Sequence, residues 1–167
     1  MGFFRFVGAN SAKDALSRIE SIMDLRKNDP AKRISDLAFD PDTRQSRIAE
    51  ATTAFKIEER FGYFGRYQRP SADAPKGDFQ SLSGPYAGKT FDDFGSEISD
   101  GMIKQLQFKP TRTEKKFFES LELHLKEADY VILNLIKLKA DAPALYQRTL
   151  SHVENHPMLH KVINVTE

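Results

Sequence analysis

From Thr113 to Lys139 the chain runs without Gly or Pro, and Phe118, Leu121, Leu125, Ala128, Ile132 and Leu135 follow one another in steps of three and four. This a/d spacing predicts one continuous helix, capped by Thr111 or Thr113 and about 40 Å long at 1.5 Å per residue. Phe117, Val131 and Leu138 fall at multiples of seven beside the seam and widen it into a face that must be buried. Leu121, Leu125, Ile132 and Leu135 are the core positions this pattern names.

Weaker helical patterns flank it. Ser11 with Asp14 reads as a capping box ahead of Ala12, Leu16, Ile19 and Met23, in a helix stopping near Asn28 before Pro30. Asp40-Pro41-Asp42 opens a second helix, with Ile48, Ala51 and Phe55 on one face, Ala54, Ile57 and Phe61 on the next, and Gly62 at its end. Asp141 and Pro143 begin another, carrying Tyr146, Leu150 and Val153, and a last short helix starts around Pro157. Residues 62–112 break the pattern. They hold seven of the nine glycines, four of the eight prolines and eight aromatic residues. That mixture predicts a long structured loop pinned by rings, because a disordered linker has no use for so many aromatics. One short helix is expected within it, from Thr90 with Asp93 as its box.

The expected fold is therefore mainly α: a single domain over 1–167, bundle-like, with an N-terminal helical part (1–61), an irregular excursion (62–112), and a long helix followed by short ones (113–167). A chain of 167 residues is long enough for one well-buried core. Lys and Arg number 25 against 24 acidic residues, so a basic surface for nucleic acid would have to be local. The absence of cysteine excludes disulfides, thiolate catalysis and Cys-ligated metals. No apolar run approaches a membrane span, and the first ten residues lack the apolar stretch of a secretory signal. A cytoplasmic setting, or a virion, is the expectation, with no membrane contact.

Three segments carry candidate chemistry. Ser83-Gly84-Pro85-Tyr86-Ala87-Gly88-Lys89-Thr90 matches the end of a phosphate-cradling G-x-x-x-x-G-K-[ST] loop but has Ser83 at its first glycine. No good strand precedes it, so Gly88-Lys89-Thr90 is read as a turn leading into a helix. His152, His156 and His160 recur every four residues, the spacing of metal ligands on a helix, but Pro157 interrupts them. Arg60, Tyr63, Phe64, Arg66, Tyr67 and Arg69 interleave guanidinium groups with rings, a composition shared by protein interfaces and single-strand binding grooves. The net charge of +1 favours the protein partner. Glu58-Glu59 and Asp92-Asp93 are adjacent pairs whose members would point apart on a helix, so they read as solvated faces or caps.

The function expected from this pattern is a non-enzymatic interaction or structural subunit of a larger assembly, such as a virus or phage particle. It would have no cofactor or metal, and its partners would be protein chains, copies of itself included. Two alternatives stand beside it: an RNA or single-stranded DNA binder using residues 60–69, and a small nucleotide- or metal-binding enzyme.

Overall fold

A computed structural model describes residues 29–60, 67–70 and 77–166, with only the backbone of Arg60. The helix expected over residues 11–28 lies outside them. Pro30 does not end a helix but begins one. Asp29 caps it by accepting from the backbone N–H groups of Ala31 (3.1 Å) and Lys32 (3.4 Å), and proline is well suited to the first helical position. This helix, α1, spans Pro30–Ala38 and leads into a two-residue hairpin, β1 (Phe39–Asp40) and β2 (Gln45–Ser46). The Asp40-Pro41-Asp42 turn is thus the tip of a hairpin, where the Asp40 carboxylate accepts from the Asp42 N–H. Helix α2 begins only at Ile48 and runs to Arg60.

The segment expected to be irregular supplies three strands. They are β3 (Tyr67–Gln68), β4 (Phe79–Ser81) and β5 (Thr90–Phe94), paired antiparallel in that order. Two helices follow, α3 (Asp100–Phe108) and α4 (Pro110–Glu127), before β6 (Tyr130–Leu133) adds parallel to β5. Helices α5 (Ile136–Asp141) and α6 (Pro143–Glu154) then return the chain to β7 (Val162–Asn164), parallel to β6. The result is a five-stranded mixed sheet in the order β3-β4-β5-β6-β7. The fold is α+β, which corrects the expectation of a helical bundle.

The long helix fails at one place for a specific reason. After Ala128 the run Tyr130-Val131-Ile132-Leu133 is apolar throughout, and its heptad fit is shared with a strand buried on both faces. Val131 and Leu133 pack with Phe117, Leu121 and Leu125 of α4, while Ile132 packs on the opposite side with Ala51, Ala54 and Ile57 of α2. Period two has replaced period 3.6. Leu121, Leu125, Ile132 and Leu135 are all fully buried, but α4, β6 and the turn after β6 bury them, not one seam.

Gly88-Lys89-Thr90 likewise leads into a strand, not a helix. The Asp129 carboxylate accepts from the Thr90 N–H (3.0 Å) and hydroxyl (3.3 Å) and pairs with the Lys89 ammonium (3.4 Å). These bonds tie the starts of the parallel strands β5 and β6 together and occupy the groups a phosphate would need. Layers of helix therefore cover both sheet faces: α1 and α2 on one, α3 to α6 on the other. Open sheets of this kind commonly place a ligand outside the carboxyl ends of their parallel strands.

Candidate functional site

At that end of the sheet lies an open cleft of about 470 Å³, with Glu50 from α2, Asp78 just before β4, Asp93 from β5 and Glu97 from the following loop in its wall. Helices α3 and α4 contribute Gln105, Lys116, Ser120 and His124 to the same lining. The antiparallel register sets Phe79 against Phe91, so the start of β4 and the end of β5 bring Asp78, Asp92 and Asp93 together. The Asp78 carboxylate accepts from the Asp93 N–H (2.8 Å), and Asp92 accepts from the Asp78 N–H (3.2 Å).

Two glycines hold this geometry. Gly77 has φ +141°, and a Cβ there would come within 2.9 Å of the Thr90 Cβ. Gly95 has φ +105°, and a Cβ there would lie 2.4 Å from the Asn134 carbonyl oxygen. Any side chain at Gly95 would force β5 away from the end of β6, and with it the Asp93 backbone.

The charges in the cleft are incompletely balanced. Arg69, itself buried, lies 2.8 Å from a Glu50 oxygen and 3.8 Å from an Asp78 oxygen. It is anchored by the carbonyls of Leu37 (2.8 Å) and Asp78 (3.3 Å) and stacks 4.2 Å from the Phe79 ring centre. Asp93 has no such cation. One of its oxygens takes bonds from the N–H and hydroxyl of Ser96, whereas the other is buried with no hydrogen-bond partner among the described residues. A buried carboxylate oxygen left in this state is costly, and a native fold keeps one for a reason.

The titration behaviour agrees with that reading. Burial pushes Asp93 up to about 7, with the nearby Glu50 and Glu97 charges adding to the effect. Burial pushes Asp78 up to about 8, reinforced by Glu50, Asp92 and Asp93. Glu50 is raised as well, again by burial, against the opposing pull of Arg69. Burial acts to lower His124, but the Asp92 carboxylate bonded to its Nδ1 at 2.7 Å outweighs it and raises the imidazole. The cleft thus gathers mutually repelling carboxylates together with cationic or donor groups, Lys116 and His124. Hard oxygen ligands of this kind suit a magnesium- or manganese-like cation, whose charge would relieve the repulsion.

A second cluster lies on the far side of α4. Glu122 accepts from His152 Nε2 (2.6 Å) and His156 Nε2 (3.1 Å), and the three ligand-type atoms lie within 4.8 Å of one another. His160 sits exposed on the turn after Pro157 and takes no part. A metal would need the Nε2 lone pair of His156, yet its Nδ1 already accepts from the Met158 N–H at 3.0 Å. The neutral ring therefore carries its proton on Nε2, where it is donated to Glu122. The cluster is a closed hydrogen-bonded set.

Of the Arg/aromatic segment, Tyr67 is fully buried against Phe79 and Phe91, and Arg69 is the interior guanidinium described above. Both side chains are buried within the chain itself. Tyr63, Phe64, Arg66 and the Arg60 side chain lie outside the described residues. The acidic cleft itself was not expected from the sequence. Its signal was Thr90-Phe91-Asp92-Asp93-Phe94: two carboxylates between aromatic residues in a run that reads equally well as a buried strand, where an unpaired acid is rare.

No family model and no curated protein sequence matches the chain. Its structure is similar to one chain of a solved complex, the CdiA-CT toxin from Burkholderia pseudomallei E479 with its cognate CdiI immunity protein. The TM-score is 0.56 at 24% identity, covering 71% of this chain and 98% of that one. This likeness is one of fold. It corrects the expectation of a helical structural subunit of a virus particle, since the fold is shared with a chain of a toxin–immunity complex.

Proposed function

We propose that the chain is a divalent-cation-dependent hydrolase of nucleic-acid phosphodiesters, acting as a toxin whose activity a cognate protein partner restrains. The observation that carries this is the buried, unpartnered oxygen of Asp93 beside Glu50 and Asp78 in an open cleft. Glu50, Asp78 and Asp93 line the cleft together, but their carboxylate oxygens do not already lie within 4.8 Å of one another, so a cation there would have to draw them together to be held. When bound, it supplies Lewis-acid polarisation of a phosphoryl oxygen and an activated water. Lys116 in the same lining offsets the charge of the scissile phosphate. His124 is oriented by Asp92, whose carboxylate raises the imidazole's pKa against the opposing effect of burial, so the ring is placed to act as proton donor to the departing oxygen. Arg69 keeps Glu50 and Asp78 in place without competing for Asp93.

The protein-partner part of the reading rests on the toxin–immunity complex to which the fold is similar. A partner that covers the cleft would neutralise the activity by excluding the substrate. The test is to incubate the full chain with labelled RNA and DNA, with and without magnesium or manganese. Cleavage that needs the cation and is lost in Asp93→Asn is expected. Intact substrates under all conditions, together with no cation uptake by calorimetry, would overturn the reading.

A further inference from the structure

Resting on that reading, we infer that the elbow between α3 and α4 is the track for a single nucleic-acid strand, with Phe108 stacking on an unpaired base and Lys104, Lys109, Arg112 and Lys116 on its phosphates. Pro110 forces the elbow. It disfavours helical geometry at the residue before it, and Lys109 accordingly sits at φ −140° and ψ 60° between the two helices. The break turns a second hollow of about 400 Å³ outward, lined by Lys104, Gln105, Phe108, Lys109, Arg112, Thr113 and Lys116. Gln105, Thr113 and Lys116 also line the acidic cleft, so the two hollows adjoin one another along α3 and α4.

The side chains here are free for a ligand. Phe108 is 81% exposed, an arrangement water does not favour for an apolar ring. Lys104, Lys109, Arg112 and Lys116 are exposed and make no ion pair among the described residues. The residues between them behave differently. Glu114 is held bidentately by Arg148 (2.6 and 2.7 Å), and Lys115 pairs with Glu119 (3.7 Å). Four unpaired cations around one exposed ring, in a chain of net charge +1, form a concentrated local patch.

One exposed ring flanked by cations matches a single unpaired base with the phosphates on either side of it. A duplex hides its base faces and would leave Phe108 unused. The course also joins the two hollows functionally: a strand gripped at the elbow would be led past Lys116 toward Asp93.

The test uses the full chain carrying Asp93→Asn and labelled single-stranded RNA and DNA of about 12 nucleotides, a length typical of such sites, followed by anisotropy over a salt series. Phe108→Ala should weaken single-strand binding about tenfold while leaving the salt dependence unchanged. Lys109→Ala with Arg112→Ala should instead flatten the slope of log affinity against log salt by about 1.4, or 0.7 per lost phosphate contact. All these side chains are exposed, and circular dichroism will verify that the variants fold. Parental affinity in both variants overturns the inference, as does binding of duplex and single strand equally affected by Phe108→Ala. The two readings fail separately. Cleavage without any effect of the elbow variants removes the track and leaves the hydrolase. Elbow-dependent binding with no cleavage under any cation does the reverse.

Discussion

Helix α4 carries a carboxylate–imidazole constellation on each side, and the two could hardly be more differently satisfied. On one side Glu122 accepts from His152 and His156, and the backbone of Met158 occupies the remaining lone pair of His156. On the other, His124 faces a cleft in which Asp93 keeps a buried oxygen without a donor and Asp78 crowds against Asp92. By residue types alone the first is the better metal site, with two imidazoles and a carboxylate at close range. On the proposed reading, electrostatic demand that the fold leaves unmet marks the site better than closeness of ligand atoms does.

The sharpest way to break this contrast is to remove the demand. Asp93→Asn keeps shape but loses the charge, and it should lower cation-dependent cleavage on the order of 10³-fold, the scale of several kcal/mol of charge stabilisation. Glu122→Gln, on the other side of the same helix, should leave the rate within about twofold. If both variants lose activity alike, the two clusters form one functional unit and the contrast collapses.

A smaller effect concerns stability and pH. Asp78 and Asp93 are raised from 3.8 to about 8 and about 7 by burial and neighbouring acids. Between about pH 4 and 8 the folded chain therefore holds protons that the unfolded chain has released, and stability falls as pH rises through this window. Without divalent cation the melting temperature should drop by on the order of 5 °C or more between about pH 5.5 and 8. Magnesium should remove most of that slope, whereas Asp78→Asn should remove only its own share and leave the part that Asp93 contributes. A melting temperature that rises over this range in cation-free buffer would mean the carboxylates are already neutralised by the protein itself.

The sequence made some of this legible. Residues 110–127 follow a helical stripe closely enough that α4 and its buried positions could be named, because one face meets one core. Tyr130–Leu133 defeated the same logic, since an apolar run buried on both faces has no period to read. Residues 62–112 announced that their rings would be pinned, and Tyr67, Phe79 and Phe91 are fully buried, but strands of two to five residues carry too few positions to show alternation. The cleft was hidden for another reason. Asp93 looks like a helix cap until β4 and β5 pair, and only then does it stand beside Asp78 and Glu50, which lie 15 and 43 residues earlier in the chain. Long-range juxtaposition of like charges leaves no local trace.

The smallest predicted effect tests the closed cluster directly. Glu122 is drawn below its ordinary range first by the His152 hydrogen bond, and by the His156 hydrogen bond as well. It is nevertheless close to half exposed, at 46%, so solvent screens the interaction. Glu122→Gln should therefore cost under about 1 kcal/mol, the usual range for surface ion pairs. Zinc is the more telling probe, because a ligand that binds only the folded chain raises its melting temperature in proportion to RT ln(1 + [L]/Kd). To take His156 as a ligand, zinc would have to displace its Nε2 proton while the Met158 N–H still claimed Nδ1, leaving an imidazolate or breaking the turn at Pro157. Zinc at about a hundred micromolar should thus shift wild type and His152→Ala by the same amount, under about 1 °C if no specific site exists. A shift of several degrees in wild type that vanishes in His152→Ala would show that the histidine cluster opens for a metal. In that case satisfied hydrogen bonds would not distinguish a structural cluster from a site on this helix.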